Sequence, residues 1–553
     1  VIPTPSSTGD PARTENNLTH TPDRRLGEAP LSIALAGGAS VVILLSLVRG
    51  LARGFVAISD DAQIALRSRD VFTEHHPLVG MASSGSVPGN EFNHPGPMLF
   101  DLLTVPVRLF GDSVGVAVGA ALINLIAIWG IVLTARRVSG ESAAVVMAAG
   151  VCALCWIMGS EVLYSVWNPN VVMLAFVWLC VAAWAVACGR WGYLPVAAFL
   201  GSLCAQSQLG YPIVVAAVLA TALAVGWWRP LEPVPSTRRT RSMLLGSGVL
   251  LVCWAQPLWE QFRSEGRGNV SRTIAAGAET SAPVGFEFGL RILADALLPT
   301  SWFRPEFDTV FSFYTGNVPD VALSAVVVVI VASAGALAAV RARRHSPSTV
   351  RLLAIVAALF VGGMATLVRL PAQFGVAMSA YNIRWIWPGV VLLLVGLVLA
   401  LWPANSSSWL RGRALGACTV GVLLLVLTVP THGLATRRPY LDAVSEMRAQ
   451  VSRNADLVVR GTPLRIRFDT LGWTLPYPYA VAAALDEQGV DIVVREPFMI
   501  RQYGPRREAE RGDVATVWVQ TGKSAQAVPP GAVRLAYVPD TPDGPLAVYA
   551  DVG

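Results

Sequence analysis

Residues 31–61 read LSIALAGGASVVILLSLVRGLARGFVAISDD. From Leu31 to Ile58 the stretch is almost wholly apolar, long enough to cross a bilayer as a helix. It ends on two adjacent carboxylates, Asp60 and Asp61. Carboxylates at a membrane boundary are costly in hydrocarbon and tolerable where they face water or a binding site. One reading is local, because Asp is a favoured N-cap for the helix that follows. The other is chemical. A like charge next door, or partial burial, raises a carboxylate pKa towards the range of a general base. The downstream sequence favours the chemical reading. A polar segment, DDAQIALRSRDVFTEHHPLVG (60–80), runs into FNHPGPMLFDLLTVPVRLFG (92–111) before the next clear span.

The rest of the chain is built like its first span. It has 553 residues, 54% of them hydrophobic and 14% charged, where a soluble domain carries about a quarter charged. Mean hydropathy is +0.53. Apolar runs suggest spans near 31–56, 113–136, 142–158, 171–188, 193–210, 211–228, 242–259, 319–340, 351–369, 386–402 and 414–431, about eleven in all. The fold class expected is a polytopic α-helical membrane protein. The net charge of +6 comes from arginines in the connecting loops rather than from a surface for nucleic acid, so no nucleic-acid partner is expected. Lysine occurs once, at Lys523, which hints at a GC-rich, actinobacterium-like genome. All seven cysteines fall in apolar stretches and read as small buried hydrophobes.

Arg24/Arg25, Arg136/Arg137, Arg190, Arg238/Arg239/Arg241, Arg341/Arg343/Arg344 and Arg411/Arg413 all fall on one side, which should be cytoplasmic. Arg49 and Arg53 run against that trend and are outnumbered. Residues 1–30, polar and Pro/Thr-rich, read as a disordered cytoplasmic tail. Three regions then face outward: a first loop at 57–112, a large loop at 260–318, and a C-terminal segment at 437–553. In the first loop, 62–74 has the spacing of a helix lying on the membrane. Residues 97–110 are too short to span and suit an interfacial or re-entrant helix. Strands expected at Leu464–Phe468, Asp491–Arg495, Thr516–Gln520 and Arg534–Val538 alternate with helices at Pro439–Ser452 and Tyr479–Gln488. They suggest a small extracytoplasmic α/β domain. The run WTLPYPY (473–479) is either a sugar platform or a loop packed on its own core.

Several residues could serve such a site. His94, in the rigid NHPGP turn of the same outer loop as the acidic pair, could help to hold the donor phosphate, and Asn93 beside it could meet a sugar hydroxyl. Glu74, His75 and His76 offer polar contacts to sugar or phosphate; with the aspartates they would also suit a divalent cation, Mg or Mn, although the spacing matches no standard site. In YNIRWIWPG (381–389), Arg384 beside Tyr381 can pair bidentately with a phosphate at headgroup level, or the element is an interfacial aromatic belt. Trp167 and Asn168, Gln206 and Gln208, and Gln256 and Glu260 lie near outer span ends and could meet sugar hydroxyls.

These motifs together resemble the GT-C superfamily of integral-membrane glycosyltransferases, which use polyprenyl-phosphate sugars. The resemblance covers the membrane half, 31–431. It rests on Asp60-Asp61 after the first span, on NHPGPMLFDLL followed by VRLFGDSVG and a span ending in Ala135-Arg136-Arg137, and on RWIWP late in the chain. It implies that Asp60 or Asp61 is the catalytic base, and that Arg384 meets the lipid phosphate. WNPN (167–170) departs from the more usual Arg-containing motif and leaves the donor sugar open. The tail is similar in arrangement to actinobacterial arabinofuranosyl- and mannosyltransferases of cell-wall assembly. The function expected is transfer of a sugar, an arabinofuranose among the options, from a polyprenyl (decaprenyl) phosphate to a cell-envelope glycan or glycolipid at the bacterial plasma membrane. A transporter or flippase for lipid-linked sugars would show paired repeats and midplane polar residues, which the sequence lacks. A non-catalytic assembly protein is the third reading.

Overall fold

The computed structural model describes residues 31–551 except 84–85, 87–90, 265, 280–282, 304–317, 371–379, most of 402–437, 459–462, 468–475 and 510–514. The expected tail at 1–30, more than half of the span expected at 414–431, and Trp473 lie outside the described residues.

The first part of the chain is helical: α1 (Leu31–Ala52), α2 (Asp60–Asp70), α3 (Met98–Phe110), α4 (Asp112–Met158), α5 (Asn168–Val171), α6 (Met173–Ala187), α7 (Leu194–Ser207), α8 (Pro212–Trp228), α9 (Ser236–Arg263), α10 (Asn269–Glu279), α11 (Gly285–Leu297), α12 (Val321–Ala342), α13 (Pro347–Val368) and α14 (Ile386–Leu401). Six helical stretches among the described residues are long and apolar enough to cross a membrane: α1, α4, Asn168–Ala187, α9, α12 and α13. Helices α8 and α14 are apolar but shorter. Helix α4 has 47 residues and would reach roughly 70 Å if straight, over twice the hydrocarbon thickness. It is instead two legs that break at Ser139 (φ −139°) and Gly140 (φ +81°), where the sequence places the boundary between two spans. Helices α9 and α12 turn Leu244, Leu251, Val252, Val326, Val329 and Ile330 outward. Such a surface is stable where acyl chains, not water, are the solvent.

Two sequence expectations change here. Helix α2 does not lie on the membrane. Asp61, Ala62, Gln63, Ile64, Ala65, Leu66, Arg67, Ser68 and Asp70 are all buried, because α3, α4 and the C-terminal segment pack around the helix. The loop expected at 260–318 also gains structure, as α10 and α11 precede the part left undescribed.

The C-terminal segment contains α15 (Arg438–Asn454), β1 (Leu464–Arg467), α16 (Tyr477–Glu487), β2 (Ile492–Val493), α17 (Pro497–Tyr503), β3 (Ala515–Thr521), β4 (Ala532–Val538) and β5 (Leu546–Asp551). The strands form one sheet in the order β2-β1-β3-β5-β4. β1 is parallel to β2 and β3, while β5 is antiparallel to β3 and β4. Strand β5 and the short helix α17 are additions to the sequence reading. LAVYAD has no polar alternation, since five of its six residues are buried. Tyr477 and Tyr479 open α16 and are buried, so this part of WTLPYPY is core rather than a sugar platform. The apolar core runs without interruption from the bundle into this segment, through Ala443, Val444, Met447, Tyr479 and Leu485.

Candidate active site

Asp60 opens α2 and accepts a hydrogen bond from Trp167 Nε1 at 2.7 Å. The Trp167 ring lies 5.4 Å from that of Tyr381, centroid to centroid. Arg384 Cζ stands over the same indole, 5.6 Å from its centroid, within the range of a cation–π contact. Gln208, just past α7, donates to Asn382 Oδ1 at 3.3 Å. Gly210 permits that approach, because a Cβ there would sit 2.4 Å from the Asn382 carbonyl oxygen. The start of α2 and residues 381–384 thus meet at the Trp167 indole, and the α7–α8 turn packs against the same 381–384 segment through Asn382.

A neutral indole N–H orients a carboxylate without cancelling its charge, whereas a guanidinium would also neutralise it. Asp61 and Arg384 are each 3% exposed, and Asp60 is half-buried. Asp61, not Asp60, is therefore the more enclosed carboxylate, the reverse of what its position at the span end suggests. Trp385 and Trp387 are buried against the bundle. An interfacial belt would expose those rings, so RWIWP is here a way of driving Arg384 inward.

The other predicted residues are placed less centrally. His94 is buried, and burial pushes its pKa down to about 4. At neutral pH it is uncharged, so it can offer a phosphate only an N–H. Asn93 donates to the carbonyls of Gly80 (2.8 Å) and Arg501 (3.0 Å). Glu260 accepts from the Asn269 amide (2.9 Å) and from Ser264 Oγ (2.8 Å), which ties the end of α9 to the start of α10. Gln206 donates to the Cys253 carbonyl (2.7 Å), Asn168 to the Ser207 carbonyl (2.9 Å) and Gln256 to Asp101 (3.0 Å). These side chains fasten elements to one another, and Gln206 and Asn168 are buried.

Glu74, His75 and His76 follow the opposite end of α2, and that helix is about 15 Å long by its rise. Glu74 is exposed. His75 Nε2 is 3.8 Å from both Glu74 and Asp491, and His76 Nδ1 accepts from the Phe72 amide at 2.9 Å. They do not join the aspartates. Among the described residues no three His, Cys, Asp or Glu side chains assemble as metal ligands.

The sequence reading missed two contributors, Asn382 and Ser59, and took Pro476 and Tyr479 only as part of the WTLPYPY run. Asn382 stands within YNIR and could have been taken with its neighbours. Ser59 has φ +48° and ψ −127°, a conformation that nothing in SDD signals. Pro476 and Tyr479 reach this end of α2 from the C-terminal segment: the Ser59 amide bonds the Pro476 carbonyl at 3.4 Å, and the Asp60 charge adds to burial in raising the Tyr479 phenol.

No protein-family model matches this chain, and no curated protein matches its sequence. A solved structure does match its fold. ArnT from Cupriavidus metallidurans, bound to undecaprenyl phosphate, superposes with a TM-score of 0.55 at 14% identity, over 94% of this chain and 97% of that one. In fold, this chain is similar to ArnT. The match runs through nearly the whole of both chains, and at that identity it establishes architecture alone. ArnT in the apo state gives a TM-score of 0.44 at 16% identity, over 94% of this chain and 97% of that one. The apo oligosaccharyltransferase of Archaeoglobus fulgidus gives 0.41 at 14%, over 89% of this chain and 69% of that one. Likenesses as loose as these two carry no further argument. The membrane-embedded helical architecture expected from the GT-C resemblance is thus matched at the level of fold.

Proposed function

We propose that this protein is a membrane glycosyltransferase that moves a sugar from a polyprenyl-phosphate donor to a hydroxyl of a cell-envelope glycan or glycolipid. One observation carries the reading: a carboxylate and a guanidinium, Asp60 and Arg384, are brought to the same indole. Transfer needs a base at the attacking hydroxyl and a cation at the departing phosphate. Asp60 or Asp61 takes the acceptor proton as its oxygen attacks the anomeric carbon. The bond from that carbon to the phosphate oxygen breaks, and the phosphate leaves with the electron pair, held by Arg384. Burial of Arg384 strengthens that interaction relative to water. The likeness in fold to ArnT, whose structure holds undecaprenyl phosphate, supports a lipid-linked donor entering sideways from the bilayer.

The test is incubation of purified protein with radiolabelled polyprenyl-phosphate pentoses and hexoses, decaprenyl-linked arabinofuranose first. Transfer from at least one donor is expected, and transfer from none would remove the reading. Titration with EDTA, then Mg or Mn, measures whether the carboxylates share a cation with the donor phosphate. The arginine pattern further places the N-terminus in the cytoplasm and the C-terminal segment outside the plasma membrane. Cysteines introduced at Ser7 and Ser524 check this: an impermeant thiol reagent should label the second and not the first on intact cells.

A further inference from the structure

One face of α2 is fastened to the C-terminal segment along its whole length. Ser59, Gln63, Arg67 and Asp70 follow at steps of four, four and three, so they lie on one side of the helix. The Ser59 amide bonds Pro476 O at 3.4 Å. Gln63 Nε2 donates to Gln502 O at 2.7 Å and to its Oε1 at 2.5 Å. Arg67 donates to Tyr503 O at 2.6 Å and pairs with Asp70. Asp70 in turn meets Arg507 at 2.7 Å. Gly504 lets Arg67 in, since a Cβ there would lie 2.9 Å from its guanidinium. Gln63 is 1% exposed. Asp60 turns the other way, towards Trp167.

The first link of this row falls at the strained point. Ser59, with φ +48°, is in a region that glycine favours and serine adopts at a cost of about 1–3 kcal/mol. It immediately precedes the acidic pair, so any relaxation of Ser59 re-aims both carboxylates. Its conformation persists because its flanks are held, by Pro476 on its own amide and by Gln502 on Gln63, one turn on.

We propose that the C-terminal segment is a clamp on the acidic pair, with Gln63 and Gln502 as positioning residues that act through Ser59 and the first turn of α2. This rests on the glycosyltransferase reading for its kinetic consequence, but not for its structural one. The hydrogen bonds of Gln63 run to Gln502 and not to Asp60 or Arg384, so the effect expected is on aim rather than on donor binding.

The test uses the full-length protein. Gln63→Ala should lower kcat about ten- to a hundred-fold, in line with the cost of sub-ångström to ångström misplacement of a reacting group, with donor KM within about twofold. Gln502→Ala, on the opposite side of the bond, should do the same. In both, hydrogen exchange of the amides of residues 59–64 should quicken while that of α4 and α6 stays unchanged, which separates the effect from general unfolding. Adding Ser59→Gly to Gln63→Ala should restore part of kcat, because glycine takes the positive φ without support from outside. Wild-type kcat and unchanged exchange in both single variants would overturn the clamp, as would quickened exchange with unchanged kcat. If Asp60→Asn and Asp61→Asn both transfer normally, the glycosyltransferase mechanism fails, and the exchange data still judge the clamp. If an Asn variant is inactive while both glutamine variants are normal by both measures, only the clamp fails.

Discussion

Helix α2 begins on Asp60 and Asp61 and ends on Asp70, and the two ends are solvated by different chemistry. Asp70 is 3% exposed and sits between Arg67 at 2.5 Å and Arg507 at 2.7 Å. Arg507 also meets Asp486 at 2.9 Å, and Arg69 links Asp486 to Asp112. Burial alone would lower the Arg507 pKa, but the charges of Asp70 and Asp486 outweigh it and push it up. That end is a closed ion-pair network in which every charge is matched. At the other end Asp60 receives an indole N–H, and the guanidinium stands across the indole ring. The lesson is that carboxylates on one helix can have different surroundings: Asp70 is matched by cations that join two parts of the chain, while Asp60 accepts from the Trp167 indole.

Breaking the reactive end should have the largest effect. Asp60→Asn keeps the bond from Trp167 but cannot take a proton. One of Asp60→Asn and Asp61→Asn should lower kcat by ~10²–10⁴ while donor binding holds. Single-turnover transfer with bound donor measures this, and wild-type rates in both variants would reduce the pair to a helix cap. Breaking the closed end should instead cost stability. Asp70→Asn leaves two buried guanidiniums short of a counter-charge and should destabilise the fold by about 3–5 kcal/mol, read from unfolding in detergent. If Asp70→Asn were as stable as wild type, the network would not be joining the two parts.

The guanidinium comes next in size. Arg384→Lys keeps a charge but loses the planar fork, and donor affinity should fall on the order of tenfold or more, with the fold intact. Equal affinity in the Lys variant would confine Arg384 to packing on Trp167. The smallest effect at neutral pH belongs to His94. The unfolded chain takes up its proton near pH 6.5, the folded chain near 4. Its contribution to stability is therefore present above pH 6.5 and is lost as pH falls towards 4. His94→Gln should flatten the stability profile in that window and leave pH 7–8 unchanged. An unaltered profile would mean that the fold leaves the proton affinity of His94 as it is in the unfolded chain, so that burial does not hold it neutral.

Much of the architecture was legible in the residues. The spans announce themselves by length and apolarity, and even the break in α4 sits where SGE interrupts the run. Asp60, Trp167, Gln208, Tyr381 and Arg384 were each visible as polar or aromatic residues at a span end. Others at similar addresses, Asn168, Gln206, Asn93 and Glu260, turned out to fasten one element to another. Sequence position does not separate the two groups, because both need a polar side chain at the same depth. Which one a residue becomes depends on whether a neighbouring backbone group arrives to use it. The helix at 62–74 was misassigned to the membrane surface for a related reason. Its alternation of apolar and charged residues is equally suited to a lipid headgroup layer and to a protein lid rich in arginine and aspartate.

The sequence by itself determined that this chain is a helical membrane protein, that an acidic pair closes its first span, and that a strand-bearing segment follows the last. Those properties depend on local hydropathy and periodicity, which neighbouring residues carry in full. Only the tertiary structure decided that Asp60 and Arg384, separated by more than half the chain, share one indole. It also decided that His75 and His76 stand a helix length away, and that α2 is gripped by Gln502, Tyr503 and Arg507. Those are contacts between segments that are remote in sequence, and a contact of that kind is set by how helices pack, not by any pattern within either partner.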